Sequence, residues 1–93
     1  MNSAGVPAAT TAAKAALAKL VRISQLSSVA QSRVAAFYDG NLVACGRARV
    51  DLAEMRALIV DLRRDLLDDR KKILAERKAT RAATAVTSSP DHD

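Results

Sequence analysis

The chain has 93 residues, a length that allows one small domain with a limited hydrophobic core. Alanine supplies much of its apolar content, and with one Phe, one Tyr and no Trp it lacks the large aromatic side chains that usually build a compact enzyme core. The formal net charge is +5, but Lys and Arg alternate with Asp and Glu between residues 47 and 86, which predicts a mixed helix surface rather than a basic stripe for binding a specific nucleic acid.

The first half of the chain predicts a short tail followed by a helix. Residues 1–10 contain Gly5 and Pro7 and are expected to be a disordered N-terminal tail. A helical region is predicted over 11–85, and Thr11 fits the N-cap position. Its first apolar stripe consists of Leu20, Ile23, Ala30, Val34 and Phe37, with Ser27 in the skipped position.

The centre of the chain leaves two arrangements open. The apolar register slips there, Gly40 and Gly46 both lower the helix propensity, and Asp39–Asn41 has the composition of a turn, so a break is possible over 39–46. The chain then forms either one long, largely continuous helix or two helices folded into a hairpin. The absence of proline from this stretch favours the long helix.

The second half contains the apolar pattern of a coiled coil. Between Leu52 and Leu66 an apolar side chain recurs every three or four residues, and Ile73 extends the pattern after Asp69, so the helix needs partner helices to cover this side. Asp69 and Glu76 occupy positions of the same pattern, and a homodimer would place these like charges side by side. This favours a hetero-oligomer with other small coiled-coil proteins. The predicted coiled-coil interface consists of Cys45, Ala48, Leu52, Met55, Ile59, Leu62, Leu66 and Ile73.

No residue pattern predicts catalysis, and no cofactor or metal site is expected. Cys45 is the only cysteine, which fits a reducing compartment and a small apolar interface residue. The only histidine, His92, falls in residues 86–93, which are predicted to be a disordered C-terminal tail. No apolar run is long enough to span a bilayer.

One four-residue motif resembles the signature of a known family. Arg49-Val50-Asp51-Leu52 is similar to the motif of the KxDL family, with Arg49 in place of the lysine. Leu26-Ser27-Ser28 upstream and the leucines at 62 and 66 downstream also match that family's spacing. In the predicted register, Leu52 is an apolar anchor, and Arg49 and Asp51 lie on opposite sides of it, where each reaches a partner helix.

The resemblance implies a non-enzymatic function. It suggests a coiled-coil subunit of a BORC- or BLOC-type complex that acts in lysosome positioning or in the biogenesis of lysosome-related organelles. Such a subunit is cytoplasmic and associates with the lysosomal or endosomal membrane indirectly, through the complex. The alternative is a mitochondrial or ribosome-associated helical assembly protein, because residues 1–38 contain no acid and resemble an N-terminal presequence.

Overall fold

The computed structural model of the protein is an antiparallel hairpin of two long helices. It describes the backbone of residues 7–88 and the side chains of residues 11–84. Helix α1 spans Pro7–Tyr38 and helix α2 spans Leu42–Ser88, with no strand in the described part of the chain. The molecule measures 76 × 26 × 13 Å, so it is a rod only two helices wide. The prediction of an elongated, coiled-coil-like all-α fold is confirmed.

Both helices extend further than the sequence predicts. Helix α1 begins at Pro7, where a proline is favourable because the N–H that it lacks would have no partner in the first turn. Helix α2 continues to Ser88. Residues 7–10 and 86–88, which were predicted to belong to the tails at 1–10 and 86–93, are therefore helical. The remaining residues of both predicted tails lie outside the described part of the chain.

The turn between the helices is built by Gly40 and Asn41. The amide of Asn41 donates to the carbonyl of Ala36, and that of Gly40 donates to the carbonyl of Phe37, which is the Schellman motif that ends a helix. Gly40 has a φ of 112°, a conformation that residues with a Cβ rarely adopt. The Asn41 side chain then accepts a hydrogen bond from the amide of Ala44 and caps α2.

This turn corrects the preference for one continuous helix. The chain reverses direction at Asp39–Asn41, although no proline is present, because the glycine ends α1 and the asparagine starts α2 within three residues. Gly46, the second glycine in the predicted break, lies inside α2 and does not interrupt it. The break is therefore shorter than the predicted 39–46.

The two helices pack through small and mixed side chains. In α2, buried or half-buried residues recur every three or four positions and define the inner face of that helix: Ala44, Ala48, Asp51, Met55, Leu58, Leu62, Asp65 and Asp69. In α1, Ile23, Ala30 and Phe37 of the predicted stripe face α2, but Leu20 and Val34 are exposed. The contact positions are one residue earlier at three places of the predicted stripe, and they are Lys19, Leu26 and Arg33.

The resulting core is thin. Among the described side chains, the buried apolar residues are Leu26, Ala30, Ala44, Ala48 and Leu62. Alanine lets the helices approach closely but removes little apolar surface from water. Consequently, much of the aliphatic surface of both helices remains exposed.

Ion pairs between the helices match the antiparallel arrangement. Lys19 pairs with Asp65, Arg22 with Glu54, and Arg33 with Asp51. Within residues 7–38 all charged side chains are basic, so the cations of α1 meet the carboxylates of α2. The acid-free first helix, which also suggested a presequence, thus has an electrostatic role in the hairpin.

Candidate protein-binding surface

The hairpin divides the predicted coiled-coil interface into two groups. Ala48, Met55 and Leu62 belong to the inner face of α2 and pack against α1. The other predicted residues lie beside that face: Cys45 is half-buried, and the exposed ones are Leu52, Ile59, Leu66 and Ile73. Helix α1 therefore buries one part of the predicted interface and leaves the large residues of the other part exposed.

The four exposed residues form a row along α2. Leu52, Ile59, Leu66 and Ile73 follow one another at intervals of seven residues, so they lie on one side of the helix. Their exposed fractions range from 39% to 54%, which is high for aliphatic side chains at regular spacing. We call these four residues the outer aliphatic row. Cys45 precedes it by seven residues and is a half-buried free thiol.

Two exposed aliphatic residues of α1, Leu20 and Val34, lie on the same side of the hairpin as this row. Ala13 lines a groove together with Leu66 and Ile73. Leu20 lies seven residues after Ala13 and Val34 fourteen residues after Leu20, so all three lie on the same side of α1. Leu20 and Val34 are exposed. We call this side, formed by the outer aliphatic row with Leu20 and Val34, the apolar flank.

The opposite side of the hairpin is charged. There Arg22 binds the carboxylate of Glu54 through two hydrogen bonds, of 3.0 and 3.3 Å. Asp61 and Asp68 follow Glu54 at intervals of seven residues, and Asp61 pairs with Arg64. The two flanks of the hairpin thus differ in chemistry, and of these two the apolar flank has the character of a helix-binding surface.

The groove lies where the apolar flank meets the open end of the hairpin, and it has a volume of about 260 Å³. Alanines of α1 face polar residues of α2 there, so no large side chain fills the space between the helices. The lining residues are Ala12, Ala13, Ala16, Leu66, Asp69, Lys72, Ile73 and Glu76. Because the groove continues the outer aliphatic row, it fits an apolar side chain from a partner.

A row of arginines runs beside the outer aliphatic row and was missed by the sequence analysis. All of its members are exposed and none forms an ion pair in the described structure: Arg49, Arg56, Arg63, Arg70 and Arg77. The arginines repeat every seven residues. Each lies three residues before or four residues after a member of the outer aliphatic row, so the two rows are neighbours on the helix surface. The signal was present in the sequence as a heptad repeat of arginine.

The arginine row corrects the prediction of a mixed charged surface. Acids and bases alternate along the sequence, but the helix sorts them in space. Asp51, Glu54 and Asp65 pair with α1, whereas the arginine row faces solvent. The exposed side of α2 next to the aliphatic row is therefore basic.

The KxDL-like motif contributes one residue to each of these surfaces. Arg49 begins the arginine row and Leu52 begins the outer aliphatic row. Asp51 is buried, with its side chain 8% exposed, and both its carboxylate oxygens accept from Nη1 of Arg33, at 2.7 and 2.8 Å. The sequence predicted that Arg49 and Asp51 each reach a partner helix, and the helix that Asp51 reaches is α1 of the same chain.

Other kinds of site find little support in the described residues. Within residues 7–88, no three His, Cys, Asp or Glu side chains lie close enough together to hold a metal ion. Neither helix has, in its described residues, the length and apolar character needed to cross a membrane. His92 lies outside the described residues.

No protein-family model, no curated protein sequence and no solved structure matches the chain. The resemblance to the KxDL family therefore rests on the motif at Arg49–Leu52 and on the spacing of the residues around it.

Proposed function

We propose that the protein is a non-enzymatic subunit of a multisubunit helical assembly, to which it contributes a two-helix rod. The observation that carries this proposal is the outer aliphatic row, which has heptad spacing and remains 39% to 54% exposed in the hairpin. Covering the exposed part of these four side chains contributes about 1 kcal/mol each, which favours association with another helix over exposure to water.

The narrower form of the proposal follows the family resemblance. It is a subunit of a BORC- or BLOC-type complex that acts in lysosome positioning or in the biogenesis of lysosome-related organelles. Such a subunit is cytoplasmic and is held at the lysosomal membrane by its partners. The support for this form is the Arg49–Leu52 motif, whose Leu52 and Arg49 both begin rows on the exposed side of α2.

The test is affinity purification of the tagged chain from its own cells, with mass spectrometry of the co-purifying proteins. We expect several small helical proteins with heptad repeats in stoichiometric amounts. The variant Leu52→Asp with Ile59→Asp should lose them, because it places two charges in the outer aliphatic row, whereas the buried apolar residues of the core stay unchanged.

A matched control changes the same charge at the same spacing. Val50→Asp with Ala57→Asp introduces two exposed aspartates seven residues apart, away from the apolar flank. This control should retain the partners. If the Leu52/Ile59 variant retained all partners, the outer aliphatic row would not be the binding surface. If the partners were mitochondrial or ribosomal proteins, the proposal of a BORC- or BLOC-type subunit would be refuted.

A further inference from the structure

The apolar flank and the arginine row together define the chemistry of the occupant. We propose that this surface binds an amphipathic helix of another protein that carries an acidic residue at every seventh position on one side of its apolar stripe. The inference rests on the proposed function, since it names the kind of partner through which the assembly forms.

The first argument is charge complementarity. Five arginines at heptad spacing border the outer aliphatic row, and each lacks an acidic partner in the described structure. A helix packed on the aliphatic row would bring its own flanking positions within reach of these guanidinium groups. Glutamates or aspartates there would pair with them, whereas lysines or arginines would be repelled.

The second argument restricts the acids to one side of the partner. Across the flank from the arginine row, the exposed positions of α1 are uncharged: Leu17, Ser24, Gln31 and Tyr38. A helix lying in the furrow between α1 and α2 therefore meets arginines on one edge and neutral residues on the other. Only its edge beside α2 needs acidic residues.

A second copy of this chain fits the surface poorly. Apart from Asp69 and Glu76, the acids in the described part of the chain pair with α1, lie on the charged side with Glu54 or, at Asp39, lie in the turn. Asp69 and Glu76 line the groove at the open end of the hairpin. A second copy would consequently place most of the arginine row against neutral residues or against another arginine row.

The strict heptad spacing also favours a helix over a flat lipid surface. A straight α-helix drifts by about 20° per heptad relative to a seven-residue repeat, so a row from Arg49 to Arg77 turns by about 80°. A helix that supercoils with α2 follows such a row, but a plane contacts only part of it. Nucleic acid is disfavoured because the alternating Leu and Ile side chains would face phosphates.

The experiment measures binding of the full chain to two fluorescent synthetic helices of about four heptads. They share one Leu/Ile stripe and differ at every seventh position on one edge, which is Glu in one peptide and Lys in the other. We expect the Glu peptide to bind and the Lys peptide to bind at least about tenfold more weakly. Equal binding of the two peptides would overturn the inference.

Variants of the chain locate the interaction. Arg56→Gln, Arg63→Gln and Arg70→Gln combined should weaken binding of the Glu peptide about tenfold, since each exposed ion pair contributes modestly. The control, Lys71→Gln, Lys78→Gln and Arg81→Gln combined, removes the same net charge outside the row. Circular dichroism should show unchanged helix content in both. If the two variants lose the same affinity, the attraction is non-specific and the inference is wrong.

Other occupants give different results in the same assay. Stronger binding to vesicles with ~30% phosphatidylserine, or to duplex DNA, that depends on the arginine row would overturn the inference in favour of lipid or nucleic acid. A homodimer of the chain that Leu52→Asp with Ile59→Asp dissociates would identify a second copy as the occupant. If cellular partners are lost with the Leu52/Ile59 variant but kept with the arginine variant, the assembly function stands and only the acidic partner is refuted.

Discussion

The inner face of helix α2 and the side that carries the outer aliphatic row differ in composition and in burial. The inner face contains alanines, a few larger apolar residues and carboxylates that pair with the cations of α1. The side that carries the outer aliphatic row has larger aliphatic side chains and arginines that have no partner in the described structure. The better hydrophobic stripe of this helix is therefore the one that the hairpin leaves exposed.

This difference separates the residues that make the hairpin from the residues available for assembly. A coiled-coil pattern that served only to close the hairpin would place its leucines and isoleucines against α1. Here alanine fills several of those positions, and the aliphatic residues lie one position further around the helix. Substitutions on the inner face should consequently change the stability of the isolated chain, whereas substitutions in the outer row should change its association.

The largest effect is expected from a pair of leucines that lie on the two sides of α2. Leu62 is 8% exposed and Leu66 is 54% exposed. Leu62→Ala should lower the free energy of unfolding by about 3 kcal/mol, because it leaves a cavity in a thin core. Leu66→Ala should lower it by only about 1 kcal/mol, because half of this side chain is already exposed to water. Urea denaturation of the isolated chain, monitored by the circular dichroism signal of the helices, measures both values. Equal losses of stability would contradict the proposed division between the inner face and the outer row.

A smaller effect is expected from the buried carboxylate of the KxDL-like motif. Arg33→Met should destabilise the hairpin by about 2 kcal/mol, since Asp51 would remain buried without its cation. Arg22→Met, which breaks the exposed pair with Glu54, should cost less than about 0.5 kcal/mol.

The double variant sharpens this test. Arg33→Met with Asp51→Leu should recover most of the lost stability, because an apolar pair leaves no charge to desolvate. The same urea titration applies. If Arg33→Met were as mild as Arg22→Met, Asp51 would be free to serve a partner helix, as the sequence alone predicted.

The smallest effects separate the turn from the helix that follows it. Gly40→Ala should destabilise the hairpin by about 1–2 kcal/mol, because its φ of 112° is unfavourable for alanine even though no atom within 4 Å would meet the new Cβ. Gly46→Ala should stabilise it by about 0.5–1 kcal/mol, since this glycine is helical and the space around it is open. Thermal unfolding should shift in opposite directions, and shifts of the same sign would argue for a continuous helix through residue 40.

Part of the binding surface could be predicted from the sequence. Leu52, Ile59, Leu66 and Ile73 were placed in an apolar interface from their spacing alone. The spacing could not distinguish them from Ala48, Met55 and Leu62. An apolar stripe that is wide enough to contact two helices looks like a single interface until the position of α1 is known. The arginine row is not evident along the sequence because acids lie between its members, and only the side of the helix on which each residue falls separates them.

The sequence by itself determined that the chain is helical, that its second half is amphipathic and that Asp39–Asn41 is the place where a turn could form. Those features depend on local propensity and on periodicity, which a linear pattern contains. Only the tertiary structure decided that the chain folds back, which side of α2 meets α1, and that Asp51 pairs with Arg33. These outcomes depend on which of several neighbouring registers buries the most surface and pairs the most charge, and that comparison requires both helices in place.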